Sequence, residues 1–248
     1  MRPTGRAVLF VALLSIALAL SLGCGSDSEA PAPPAAVIVD QLSLTEPNGA
    51  FLDEARELLE RAGYAVDYVP GEDVTVEYYR ALATRGYDIV LVRAHAAAYG
   101  ESGNEAVDAS LFTSEPFREE RHTDEWQSEL LTAVAYSAGA AEADELLFGI
   151  PPVFVEQRMR GDFDGATVVL MGCDLLHTPA MAEAFLERGA AGVVGWDKPV
   201  TAGHTDVATV ALLRALLDEG LEPKNAAARA MMQVDADPVT GAVLLAYP

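Results

Sequence analysis

Four short runs dominate what this chain can become: Ala36-Val37-Ile38-Val39, Ile89-Val90-Leu91-Val92, Ala166-Thr167-Val168-Val169-Leu170-Met171 and Ala191-Gly192-Val193-Val194-Gly195-Trp196. Each is apolar, rich in β-branched residues and too short for a typical helix. Each therefore predicts a strand buried on both faces, as in a parallel sheet. A weaker strand is expected over 65–69. The stretches between the runs carry helical spacing. Asn48 caps an expected helix bearing Phe51, Leu52, Ala55, Leu58, Leu59 and Ala62, and Gly63 ends it. Helices are also expected at 76–84, from Pro152 to Met159, from Thr178 as cap and Pro179 to Gly189, from about Thr205, and from Pro223. A last strand is expected over 242–246. The stretch 96–152 is less regular, with strand-like pieces at 111–113, 131–136 and 146–150.

Strand alternating with helix implies right-handed crossovers and one α/β domain over 36–248, a mostly parallel sheet with helices on both faces. Hydrophobic residues make up 51% of the chain, enough for a substantial core. Sixteen Lys and Arg stand against 38 Asp and Glu, a net charge of -22 that repels phosphate backbones and argues against a nucleic-acid partner.

The first residues read as an address. Arg2 and Arg6 precede an uncharged stretch from Ala7 to Leu22, shorter than the roughly 20 apolar residues of a spanning helix. The stretch ends in Leu22-Gly23-Cys24-Gly25-Ser26-Asp27, which resembles a bacterial lipoprotein lipobox, although Ser21 stands where leucine is usual. That resemblance implies a signal peptide over 1–23, Cys24 as the lipid attachment point, and export to the cell envelope. Residues 24–35, rich in Pro, Ala and Ser, read as a tether. Loss of 1–23 removes two arginines and no acid, leaving a charge of -24. Attachment is therefore expected through the lipid and not through charge.

Functional residues in open α/β sheets gather beyond the carboxyl ends of strands. Two such ends stand out. Arg93 is followed by Ala94-His95-Ala96, and Met171 by Gly172-Cys173-Asp174. On parallel neighbouring strands, His95 and Cys173 emerge at one edge, where an imidazole can activate a thiol. With Cys24 acylated, Cys173 has no disulfide partner in the chain. It is then either a buried inert residue, an intermolecular partner or a reactive thiol. Gly172 permits close backbone approach, and amides near Cys173 are candidate oxyanion donors. Trp196 and Asp197, beyond the next strand, are candidates to line a cleft, where Asp174 or Asp197 would suit a basic substrate side chain. His204-Thr205-Asp206 reads as a helix start, with Thr205 as cap and Asp206 at the positive end of the dipole. One cysteine with His95, Asp174 and His177 is poor support for zinc, so no metal is expected. No phosphate-binding glycine loop and no serine-hydrolase elbow occur, and no cofactor is expected.

The order strand–helix–strand–helix–strand–His, a variable stretch, then strand–Cys resembles the caspase-like (caspase–haemoglobinase) fold of cysteine peptidases. The resemblance is most specific around Val168–Asp174, followed by 181–189 and 192–196. It implies a caspase-like three-layer sandwich, Cys173 as nucleophile, His95 as general base and acid, and an amide at Ala96 facing the oxyanion, with a peptide or protein as substrate. Two departures stand beside it. Ala96 replaces the usual glycine after the histidine, and Cys173 lies between Gly172 and Asp174. An inactive relative that binds a protein or peptide, and an α/β ligand-binding or sensor domain, remain open as alternatives.

Overall fold

The computed structural model describes residues 33–98, 108–135 and 145–248, and the lipobox with Cys24 lies outside them. Residues 33–248 form one compact unit. The expected alternation is present: β1 (Ala35–Asp40), α1 (Gly49–Arg61), β2 (Ala65–Pro70), α2 (Val76–Ala81) and β3 (Ile89–Arg93) follow in order. Then come β4 (Ala96–Ala98), β5 (Ala109–Pro116), α3 (Thr123–Gln127), β6 (Thr132–Val134) and β7 (Leu147–Ile150). The chain continues through α4 (Pro152–Arg158), β8 (Thr167–Leu170), α5 (Ala180–Glu187), β9 (Gly192–Trp196), α6 (Ala202–Leu217), α7 (Pro223–Val234) and β10 (Leu244–Tyr247).

Six strands make the main sheet, in the order β10-β9-β8-β3-β1-β2. All neighbours are parallel except β10, which runs antiparallel to β9. The strands alternate between two apolar layers. Val37, Val39, Val90, Val92, Val168 and Leu170 face α2, α4 and α5. Ala36, Ile38, Ile89, Leu91, Val169 and Met171 face α1, α6 and α7. Both faces are thus covered, which explains why these strands show no polar alternation. Each fully buried Val, Leu or Ile contributes roughly 1.5–3 kcal/mol, so burial on two faces makes this sheet the main source of stability. The molecule is a three-layer α/β sandwich.

The irregular stretch resolves into a second, four-stranded sheet in the order β4-β5-β7-β6, all antiparallel. Its Leu111, Phe148 and Ile150 join the α2–α4–α5 layer instead of building a core of their own. Two expected helix starts move. Thr178 does not cap: α5 begins after Pro179, and the Thr178 hydroxyl donates instead to Asp108 Oδ1 at 2.7 Å. Helix α6 begins at Ala202, a turn earlier than Thr205 as cap would allow. No helix among the described residues is long and apolar enough to cross a membrane.

Candidate functional site

Strands β3 and β8 are parallel neighbours, with Val92 opposite Leu170 and the Met171 N–H donating to the Val92 carbonyl at 2.9 Å. Both chains leave the sheet at the same edge, and His95 and Cys173 line one cavity of about 250 Å³ there. Gly172 makes the approach possible. A Cβ at that position would lie 2.7 Å from the Ala94 carbonyl oxygen and 2.9 Å from Ala96 Cβ. Beyond Cys173 the chain turns sharply, with Asp174 in the left-handed region at φ 57° and its N–H donating to the Lys198 carbonyl. Asp tolerates that conformation better than most residues with a Cβ.

Hydrogen bonds to three described residues help hold His95. Its N–H donates to Gln41 Oε1 at 3.0 Å, its carbonyl accepts from Phe112 N–H at 2.9 Å, and its Nε2 is hydrogen-bonded to the Thr45 hydroxyl at 2.8 Å. The Phe112 bond has a consequence for Ala96. It makes Ala96 and Leu111 a non-hydrogen-bonded pair of the β4–β5 ladder, so the Ala96 N–H is turned away from β5. The Cys173 sulfur accepts from Val200 N–H at 3.4 Å and donates to the Val200 carbonyl at 3.6 Å.

Next in the chain to Ala94 of the cavity wall stands a buried cluster of charges. Arg93 is only 1% exposed. Its guanidinium grips Asp206 with two bonds of 2.7 and 2.9 Å, reaches Asp40 at 2.8 Å and the Glu46 carbonyl at 2.8 Å. Asp206 also accepts from Asn48 Nδ2. The sequence did carry a signal: Asp40 and Arg93 close apolar strands with opposite charges, and the register sets them opposite each other. Asp206, read as a dipole partner, is this buried counter-charge instead. Thr205, read as a cap, lies inside α6, accepts from Trp196 Nε1 at 2.8 Å and bonds to the Met171 carbonyl at 3.2 Å.

These surroundings disfavour the charged form of each group. Burial first, then the Arg93 guanidinium, push the His95 imidazole down to about 4. Burial pushes the Cys173 thiol above its ordinary value; the Val200 amide opposes this and the Asp174 carboxylate adds to it. Burial likewise raises the Asp174 carboxyl, with His177 opposing and Asp197 adding. Both shifts disfavour a preformed thiolate–imidazolium pair at this cavity.

The cavity gathers His95, Gly172 and Cys173, with Ala96 against Gly172 and Asp174 next in the chain. Trp196 and Asp197 are not brought to it. Trp196 is fully buried in the α1–α6–α7 layer. Asp197 spends its carboxylate on the Val243 N–H at 2.8 Å, which fixes the entry to β10. A larger cavity of about 450 Å³ lies between α1 and α6, but it contains neither histidine nor cysteine. Among the described residues no cluster of three or more His, Cys, Asp or Glu could hold a metal ion. Gln41, Thr45, Glu46 and Val200 went unmarked in the sequence, because nothing local shows that a loop after β1 and a loop before α6 close over two other strand ends.

No protein-family model matches the sequence, and no curated protein matches it. Among solved structures, the crystal structure of protein GSU0716 from Geobacter sulfurreducens is similar at a TM-score of 0.38 and 11% identity, over 87% of this chain and 95% of that one.

Proposed function

We propose that the chain is an exported, lipid-anchored caspase-like domain that hydrolyses peptide bonds through Cys173 and His95. One observation carries the reading: two residues far apart in sequence, from adjacent strand ends, line one cavity. A neutral pair implies that deprotonation accompanies attack instead of preceding it. The Cys173 proton passes to His95 as sulfur bonds to the scissile carbonyl carbon. Amides near Cys173 and at Ala96 hold the oxyanion, and His95 then protonates the leaving amine. Water hydrolyses the thioester and regenerates the thiol. His95 Nε2 and the Cys173 sulfur must loosen from Thr45 and Val200 for the proton to pass.

Those two existing bonds favour a second reading, a domain that binds a peptide in the same cavity without cleaving it. Cleavage of a peptide library, read by mass spectrometry, separates the two. The hydrolytic reading expects products from the wild-type protein and a loss of at least about a thousandfold in Cys173→Ala and His95→Ala. Unchanged cleavage in Cys173→Ala would sink it. Peptide binding that survives Cys173→Ala, without products from the wild type, would establish the binder. The thiol's environment gives a companion measurement: its alkylation rate should still be climbing with pH past the ordinary thiol pKa of about 8.5.

A further inference from the structure

The loop between β9 and α6, residues 197–201, is held by two other segments. The first is the cysteine turn. There the Lys198 carbonyl accepts from the Asp174 N–H at 3.2 Å, and Val200 turns both its N–H and its carbonyl to the Cys173 sulfur. The second is the turn between α7 and β10, which grips the loop at both ends. Asp197 exchanges bonds with Val243, its N–H donating at 3.2 Å and its carboxylate accepting at 2.8 Å. At the other end Asp237, only 2% exposed, accepts from the Thr201 N–H at 2.9 Å and from the Thr201 hydroxyl at 2.7 Å. Its second carboxylate oxygen accepts from the Val239 and Thr240 N–H groups at 2.8 and 3.0 Å.

A buried carboxylate with these donors would merely build a turn, were it not for the peptide group it meets. The Thr201 N–H and the Val200 carbonyl belong to one planar trans peptide, so they point in opposite directions. The N–H end meets the Asp237 carboxylate, and the carbonyl end meets the Cys173 S–H. A negative charge on the N–H polarises the peptide and makes its oxygen a better acceptor for the thiol proton. The charges agree with this direction. The Cys173 thiol, raised first by burial and opposed by the Val200 amide, is raised further by the Asp174 and Asp237 carboxylates. We propose that Asp237 is a positioning residue that latches the Cys173 S–H onto the Val200 carbonyl in the resting protein, through the Val200–Thr201 peptide. Its effect on turnover rests on the hydrolytic reading: the sulfur must leave that carbonyl before its proton passes to His95, so a bound peptide that shifts the 197–201 loop releases the nucleophile. The latch itself does not need that reading.

The S–H stretch falls in a clear window of the infrared spectrum and reads the latch directly, as the difference between the full chain and its Cys173→Ala variant. A latched thiol should absorb below the frequency of a free one. Asp237→Asn should return the band toward the free frequency. It should also move thiolate formation down by about half a pH unit, roughly threefold more thiolate at a given pH below the midpoint. The thiolate is followed by its ultraviolet absorbance, which does not depend on how easily a reagent reaches the sulfur. Thr201→Pro keeps the Asp237 charge and removes the latching N–H, and the Thr201 φ of -73° already suits proline. It should change the band and the thiolate in the same direction. An unshifted wild-type band overturns the latch whether or not either variant folds. More thiolate in Asp237→Asn with no change in Thr201→Pro also overturns it, because the charge then acts alone through space. Cleavage of the peptide library beside these spectra separates the readings. A shifted band without products removes the peptidase and leaves the latch. Products with an unshifted band remove the latch and leave the peptidase.

Discussion

Gly172 controls how closely two strand ends approach. Any side chain there meets the Ala94 carbonyl oxygen, Ala96 Cβ and Leu175 Cδ1, all within 3 Å. Two of these obstacles belong to the histidine segment, so the strain of Gly172→Ala falls on the spacing between the two chains. Overpacking of this kind costs about 1–3 kcal/mol. Gly172→Ala should therefore lower the denaturant midpoint by that equivalent and at the same time change the alkylation rate of Cys173. A variant as stable as the wild type, with unaltered thiol reactivity, would show that the glycine is not needed for the approach. This residue was legible in the sequence, because a glycine immediately before a strand-end cysteine has an evident use. Thr45 was not: its hydroxyl meets His95 only through the path of a loop fifty residues away.

The start of α6 is stitched to four other elements by two adjacent residues. Thr205 accepts from Trp196 at the end of β9 and bonds to the Met171 carbonyl just past β8. Asp206 binds Arg93 at the end of β3 and Asn48 at the cap of α1. Buried polar groups, not a capping preference, thus decide where this helix lies, and they explain why its first turn precedes Thr205. Thr205→Val keeps the shape and removes the hydroxyl, leaving Trp196 Nε1 and the Met171 carbonyl without that partner. Each unsatisfied buried group costs about 1–3 kcal/mol. The expected result is a clear loss of stability in denaturant melts, partly recovered by Trp196→Phe in the Thr205→Val background; simple additivity would refute the coupling. The second sheet was hidden at this scale for a different reason. Strand β4 is Ala96-Ala97-Ala98, and alanine carries no strand signal, so its pairing with β5 is imposed by tertiary context.

For the whole molecule, His95 and Asp237 both weaken the fold in acid. The unfolded chain binds a proton at His95 near pH 6.5, whereas the fold holds that imidazole down to about 4. Stability should therefore fall as pH drops from about 6.5 to about 4. Asp237 acts in the same direction at lower pH, for a different reason. Burial alone would raise its carboxyl, but bonds from Thr201, Val239 and Thr240 outweigh this and hold it well below the carboxylate range. Its contribution is present above the ordinary value of about 3.9 and is lost as pH falls below it. His95→Gln should flatten the limb between pH 6.5 and 4 in a series of denaturant midpoints, and leave the loss below pH 4 intact. An unchanged upper limb would assign that loss to other groups. The layered architecture and the sheet edge carrying His95 and Cys173 followed from the apolar runs, because a doubly covered parallel sheet leaves few places for polar chemistry. The electrostatics did not follow, since they depend on which distant carboxylates reach Arg93.

That guanidinium sets an order on the birth of the fold. Asp40 and Arg93 leave the ribosome early, but Asp206 follows 113 residues after Arg93. Until α6 exists, β3 has a cation to bury and only half of its counter-charge, so an early fragment gains little by closing the sheet around it. The edge that carries the histidine and the thiol thus has its lasting shape only once most of the chain has been made, and an incomplete chain carries these groups without the setting that brings them together.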